Sequence, residues 1–522
     1  MIDNFPFYLG LIVTIVFLVM LANHIKVAYP IILVVAGLVV SFIPGLPVVK
    51  IDPDVIFLIV LPPLLFEAAW SISWKELWKW RRIITSFAFI VVFVSALSVA
   101  LVANRFIPGF GLALGFLLGG IVSPPDAVSA GAIVKFVKVP RRMSSIIEGE
   151  SLLNDASSLI IFRFALIALS TGQFVWYEAS LSFVWMVAGG VVIGLIIAWI
   201  FIQTQQHLPT DSNMDIVLTI VAPYIMYIAA ESIHSSGILA VVSGGLLLSN
   251  RRYVFLSTSS RIRNVNVWES LVFVLNGLVF ILIGLELPEI IGGLGETSLP
   301  AAIGYGLLIT FTLIASRMLS AYGAVIVTLI MRNFITVADN RHPGFKVPFV
   351  LGWTGMRGVV SLAAALAIPV YVSDGVPFPQ RNLILFITFI VILTTLIVQG
   401  LTLPYFIRRF DTPYMHDTMP DDEAHQFIRK SLNEHTLGYL RSNYQDKLGT
   451  LPLLNKTIYL LENNNECIFP DSSEYKSVHI EALQSQRALL LQINREHDDL
   501  DEAVLKQHLT RIDIEEERLR YT

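Results

Sequence analysis

The sequence predicts an all-α polytopic membrane protein. About thirteen transmembrane helices form two inverted six-helix repeats with crossed discontinuous helices, and a helical cytoplasmic tail follows. Three observations carry that expectation. The chain is 55% hydrophobic and only 15% charged, where a soluble chain has about a quarter charged residues, and its mean hydropathy is +0.69. The apolar residues gather into segments of bilayer-crossing length before Asp411 and thin out after it. Two of those segments are interrupted at mid-membrane in corresponding places, which is the sequence mark of a transporter built from inverted repeats.

The first segment lies near 7–24. The start MIDNFPF lacks the basic region of a signal peptide, so this segment is expected to stay in the chain. Segments near 27–43 and 54–71 follow, the third carrying LPPLLFEAAW at 61–70 with Glu67 deep inside it. The fourth, 83–104, comes after an aromatic and basic boundary from Trp74 to Arg82. The fifth, 110–136, contains Ser-Pro-Pro-Asp-Ala-Val-Ser at 123–129. Two prolines there remove two backbone donors and break the helix. The sixth, 143–170, holds EGESLLNDASSL from Glu148 to Leu159. The seventh, 180–203, reads as a connector between repeats. The eighth and ninth, 214–233 and 236–250, are parted only by the weak break Glu231-Ser-Ile-His234. Then come 267–288 and 300–331, the latter with an isolated Arg317. The twelfth, 348–372, is interrupted by glycines in GWTGMRGVVSLAAALAIP at 352–369, and the thirteenth is 382–408. Breaks in segments five and twelve fit units of segments 1–6 and 8–13. Unwound backbone at that depth is tolerated only where it is buried in protein or lines a cavity.

The joints orient the chain. One alternate set holds Lys26, Lys75, Lys79, Arg81, Arg82, Lys135, Lys138, Arg141, Arg142, Arg251, Arg252, Arg261, Arg263, Arg332, Arg341, Lys346, Arg408 and Arg409, and the other only Lys50, Arg105 and Arg381. That is 18 against 3, so the first set is expected in the cytosol of a cell inner membrane, with the N-terminus outside. Residues 1–410 are then the membrane domain and 411–522 a cytoplasmic domain. From Asp411 onward 12 Lys and Arg stand against 21 Asp and Glu, about −9, while the remaining 24 and 19 leave the membrane part at +5. A basic membrane part with an acidic tail argues against a nucleic-acid partner. In the tail Leu483, Leu490, Ile493, Leu500, Leu505, Leu509 and Ile512 recur at helix-like spacing. The single Cys467 excludes an intrachain disulfide. No nucleotide-binding motif, resident metal cluster, cofactor motif or nucleophile motif is visible, so an enzyme is not expected.

Charges inside the segments need a reason, because one at mid-bilayer costs about 2.5–3.5 kcal/mol on insertion scales. They are Glu67, Asp126, Glu148, Glu150, Asp155, Arg163, Arg317 and Arg357. On a helix Glu148, Ser151, Asp155 and Ser158 fall near one stripe. Ser151 and Asp155 are one turn apart, so a carboxylate and a hydroxyl can meet one cation, which prefers such oxygen ligands. Asn154 lies about 100° round the helix from Asp155. Polar groups that merely join helices are the alternative, and two or three carboxylates in one segment weigh against it. A buried Arg317 needs a carboxylate, and the surplus acids of the sixth segment supply it. Asp126 and Arg357 each offset half-helix dipole ends at a crossing.

The set LPPLLFEAAW, SPPDAVSA, EGESLLNDA and GMRGVVSLAAALAIP resembles the monovalent cation:proton antiporter family, in its sodium/proton-exchanger branch, and a bacterial member of it. The likeness covers about residues 10–410 and not the tail. It implies a thirteen-helix inverted-repeat fold, a homodimer and an elevator-like alternating-access cycle. It also implies that Asp155 is the carboxylate shared by ion and proton. Ser151 and Glu67 would help form the ion site, with the Pro125–Asp126 backbone approaching it. Asn154 stands where the electrogenic branch has a second aspartate. Glu150 and Arg317 would form a structural pair, and Arg357 would stabilise the second broken helix. Many members have threonine in place of Pro125, which leaves a carbonyl but no hydroxyl there.

The function expected is exchange of Na⁺, or of Li⁺ or K⁺, for H⁺ across the membrane, driven by an ion gradient and electroneutral. A channel would want a continuous pore ring or filter. An anion transporter would not want an acid-rich sixth segment. A membrane sensor or enzyme would need motifs this chain lacks.

Overall fold

The computed structural model describes residues 5–43, 56–134, 141–171, 176–295, 297–331, 344–373, 376–410, 419–445, 452–462, 473–497 and 500–521. Lys50, Lys135, Lys138, Arg332, Arg341, the tail boundary at Asp411 and Cys467 lie outside the described residues. The chain divides into two compact units: Met1–Pro209, Val217–Phe255 and Trp268–Thr412, and then Thr210–Ile216, Leu256–Val267 and Pro413–Thr522.

The first unit opens with α1 (Phe5–Ile25) and α2 (Tyr29–Ser41). Next a π turn at Ile56–Val60 leads into α3 (Leu61–Ser71). Pro62 and Pro63 sit in the first turn of α3, where the missing N–H groups have no intrahelical partner anyway. The two prolines thus start a helix and place Glu67 in its second turn.

Helix α4 (Trp74–Thr85) begins nine residues before the predicted fourth segment. Ser73 Oγ accepts the Glu76 N–H at 3.1 Å, an N-terminal cap that hydropathy alone does not reveal. A π segment at Ser86–Val91 joins it to α5 (Val92–Phe106). The predicted fifth segment is α6 (Leu112–Val122) and α7 (Ala127–Val134) with a break at 123–126. Helices α8 (Arg141–Thr171), α9 (Trp176–His207), α10 (Ser212–Ser232), α11 (Gly237–Phe255), α12 (Thr258–Leu285), α13 (Leu287–Gly292) and α14 (Leu299–Met331) follow. The weak break after Glu231 is a real turn, with His234 at a positive φ of 57°. Helix α12 starts nine residues earlier than predicted, because a helix is free to continue past its apolar stretch.

The predicted twelfth segment is α15 (Lys346–Trp353) and α16 (Val359–Leu366), parted at 354–358. Its C-terminal end departs from the all-α expectation. Pro369 cannot continue a helix, and the chain turns into an antiparallel pair, β1 (Tyr371–Ser373) with β2 (Val376–Pro377). Helix α17 (Arg381–Arg409) ends the first unit.

Seven helical stretches among the described residues are long and apolar enough to cross a membrane: Trp74–Phe106, Arg142–Ser170, Ser180–His207, Ser212–Ser232, Thr258–Gly292, Leu299–Ile330 and Arg381–Arg409. Halves such as Leu112–Val122 fall short of bilayer length one at a time because their helix is broken. The deepest core gathers around them: Leu117, Leu118, Ile121, Met356, Leu362, Ala363, Phe386 and Phe389 are all essentially inaccessible. Close packing of α6 on α5 depends on Gly119, where a Cβ would stand 2.5 Å from the Ala96 carbonyl oxygen. Small residues at such contacts let helix backbones approach when lipid gives no hydrophobic push.

The second unit contains α18 (Asp421–Asn443), α19 (Pro452–Glu462), α20 (Ser473–Glu496) and α21 (Glu502–Tyr521). Leu483, Leu490, Ile493, Leu500, Leu505, Leu509 and Ile512 are all buried, so the helical spacing read in the tail is its packing face. Within the same unit the tail binds the start of α12, and the start of α12 binds the start of α10. Arg261 donates to Asp513 from Nε at 3.0 Å and from Nη2 at 2.5 Å, and Ser260 Oγ donates to Asp215 at 2.6 Å. Arg487 joins Asp513 to Glu516.

Candidate functional site

The two helix breaks meet. The Asp126 N–H donates to the Met356 carbonyl at 2.7 Å, so backbone freed in one break satisfies backbone freed in the other. Each break also carries a charge matched to the helix ends around it. Arg357 is wholly buried and donates from Nε to the Val122 carbonyl at 2.7 Å and from Nη2 to the Ser123 carbonyl at 3.1 Å. Those carbonyls are the negative end of α6. Asp126 does the reverse for α7. Its carboxylate accepts the Val128 N–H at 3.0 Å, the Ser129 N–H at 3.2 Å and the Ser129 hydroxyl at 2.5 Å, capping a positive helix start. The same carboxylate lies against Gly358, the residue preceding α16.

Gly358 could not have been picked from the sequence as more than one glycine among several. A Cβ there would stand 2.1 Å from Asp126 Oδ2. Gly358→Ala therefore displaces the Asp126 carboxylate from its seat on the start of α7. We expect loss of transport together with a drop in stability of about 1–3 kcal/mol, the usual range for overpacking. Thermal unfolding in detergent and flux in vesicles check this, and wild-type values for both would show that the crossing tolerates a methyl group.

Helix α8 passes beside the crossing. Glu148 is exposed and accepts from Ser144 at 3.1 Å. Ser151 is half-buried, while Asp155 is 7% and Ser158 1% exposed, so the predicted stripe runs from surface to interior. Asn154 is inaccessible, and its Nδ2 donates to the Pro125 carbonyl at 3.1 Å. Its Oδ1 has no hydrogen-bond partner among the described residues, a buried oxygen that a cation or water would satisfy. Ser158 donates to the Gly120 carbonyl and Ser157 to the Ala88 carbonyl at 2.5 Å, so these hydroxyls fasten α8 to its neighbours. Asp126 lies in electrostatic range of Asp155. Glu67, half-buried on α3, shares electrostatic range of Tyr29 with Asp126, and α3 packs against α8.

One turn from the site, Glu150 is bound by Arg317 of α14. Nη1 and Nη2 donate to the two carboxylate oxygens at 2.6 and 2.9 Å, and both residues are almost inaccessible. The backbone N–H of Arg357 donates to Thr395 Oγ1 of α17 at 3.2 Å, a contact the sequence does not announce. Chemically, the arrangement offers one buried carboxylate, a neighbouring hydroxyl, a partnerless amide oxygen and a fixed break. No group of three or more His, Cys, Asp or Glu placed to hold a resident metal occurs among the described residues.

The family model for the transmembrane region of sodium/hydrogen exchangers matches residues 11–409. The chain is 32% identical over 488 residues to a sodium, potassium, lithium and rubidium/H⁺ antiporter of Bacillus pumilus, covering 91% of this chain and 72% of that protein. It is 31% identical over 390 residues to the low-affinity Na⁺/H⁺ antiporter NhaS1 of Synechocystis, covering 74% and 70%. In fold it is similar to the sodium proton antiporter MjNhaP1 of Methanocaldococcus jannaschii, with a TM-score of 0.63 at 18% identity, over 77% of this chain and 97% of that one.

Proposed function

The chain belongs to the sodium/hydrogen exchanger family, and from that premise we propose that it exchanges Na⁺ for H⁺ electroneutrally at one alternating-access site centred on Asp155. Cation/proton antiport is the activity of the family, and the protein is a multi-pass membrane protein. The observation that carries the finer reading is the buried Asp155 carboxylate one turn from Ser151, beside a helix break held by Asn154. A single carboxylate holds a proton or a cation but not both. Exposed to each side in turn, it couples the two fluxes with no other energy source.

Ser151, the Pro125 carbonyl and Glu67 complete the oxygen set around Asp155. Asp126 contributes its charge at the crossing, its oxygens being engaged by α7. The membrane domain has thirteen spans in two inverted repeats and works as a homodimer in the cell inner membrane, N-terminus outside and tail in the cytosol. The excess of Lys and Arg in alternate joints supports that orientation. The name of the Bacillus pumilus relative includes potassium and rubidium, so the cation accepted here is tested across the alkali series. In proteoliposomes an imposed Na⁺ gradient moves protons the other way; absence of any cation-driven pH change would refute the function.

Stoichiometry gives a sharper test. Asn154 is the neighbour of Asp155 and is hydrogen-bonded, so one proton replaces one monovalent cation. Exchange is then indifferent to membrane voltage, whereas one uncompensated charge feels about 2.3 kcal/mol per 100 mV. A diffusion potential set by a permeant ion that is not a substrate leaves the rate unchanged in either polarity. Acceleration in one polarity means that a second proton moves, with Glu67 the first group to test.

A further inference from the structure

Arg163 is an intramembrane charge whose role the exchange site leaves unexplained. It lies on α8 two turns beyond Asp155, about 12 Å along the axis, toward the end of the helix opposite Arg142. Its Nη2 meets Glu231 Oε2 at 2.6 Å. Glu231 stands near the end of α10, and its other oxygen accepts the Gly237 N–H at 3.1 Å, at the first residue of α11. The pair therefore ties α8 to α10 and α11.

Arg163 and Glu231, with Ser236, themselves line a cavity of about 250 Å³. One wall is Ala156, Leu159 and Ile160 of α8, with Ala367 just past α16. The other is Met186 of α9 and Tyr227 of α10. Ala156 adjoins Asp155 in the chain. Arg163 and Glu231 have side chains 38% and 30% exposed, whereas Ala156 and Ile160 are buried. The charged pair is thus at the more exposed end of a cavity of mixed polar and apolar lining, whose buried end is bounded by Ala156, the residue after Asp155 on α8.

A bare guanidinium at that mouth would repel an arriving cation. Paired with Glu231 it is neutralised, and Glu231 in turn is hidden from the cation. The geometry points to the Arg163–Glu231 pair as a gate on the route between this face of the membrane domain and Asp155. When the pair parts, Glu231 becomes the first carboxylate an alkali cation meets; when it forms, the route loses that ligand. This rests on the reading of Asp155 as the exchanging carboxylate. A strut with no gating role would hold the same three helices, so the test reads the side of the membrane on which an effect appears.

The test uses the full-length protein in vesicles of fixed, opposite orientations, with apparent KM for Na⁺ measured from each face. Arg163→Gln leaves the Gly237 contact of Glu231 in place and frees its carboxylate, so it is the variant least exposed to misfolding. It lowers KM on the Arg163 face by about tenfold, the low end of electrostatic focusing in a cleft, with a clearly smaller change on the other face. Glu231→Gln raises KM on the Arg163 face by a similar factor. The exchanged pair, Arg163→Glu with Glu231→Arg, returns it toward the wild-type value. Equal changes on both faces, or reduced maximal rate and thermal stability with KM untouched, would identify a strut and overturn the gate. Should Asp155→Asn keep wild-type flux, the exchange-site reading fails separately, whatever the pair does.

Discussion

Asp155→Asn abolishes cation-driven proton flux while leaving a folded, inserted protein. Asparagine matches aspartate in size, so the packing of α8 against the crossing is kept and no charge is stranded. What disappears is the group that can carry either a proton or a compensating negative charge. Without it the site neither picks up a proton nor balances a buried cation, and both half-cycles stop. The expected flux is indistinguishable from empty vesicles, with a melting curve in detergent near that of the wild type. Near-normal flux would remove Asp155 from the site. A collapse of stability along with flux would instead mean that Asp155 is part of the scaffold.

The second large effect is on stability. Arg317 and Glu150 make a two-pronged ion pair that is 2% and 1% exposed, and removing one partner of such a pair typically costs about 3–5 kcal/mol. Glu150→Gln and Arg317→Gln each lower the melting temperature, and the double variant loses less than the sum because no charge is left alone. The two single variants should also differ. The guanidinium of Arg357 lies in electrostatic range of both partners. Removing Glu150 leaves two buried cations facing each other, whereas removing Arg317 leaves Glu150 with Arg357 still near. Glu150→Gln is therefore the more damaging. Strictly additive losses would show that the two residues act independently.

Much of this molecule was legible in its sequence. A stretch of apolar residues long enough for a bilayer needs no partner to be recognised, since the solvent it fits is set by composition. Breaks at Pro124–Pro125 and around Gly355–Gly358 were legible too, because proline and glycine act on the backbone locally. Helix ends were not: α4 and α12 begin before their apolar stretches, as the Ser73 cap illustrates. The hairpin after Leu366 was hidden inside a segment read as helix to residue 372.

The sequence by itself determined that this chain is a multi-pass membrane protein with costly charges on its sixth segment, because insertion energy attaches to single residues. It also placed Asp155 one turn from a hydroxyl, since helix periodicity fixes near neighbours. Only the tertiary structure decided which distant groups meet: Asp126 with Gly358, Arg357 with the Val122 and Ser123 carbonyls, Asn154 with Pro125, and Arg163 with Glu231. Those pairings join residues from 29 to 235 positions apart. A buried charge dictates that it must find a partner, but which partner depends on how the helices pack.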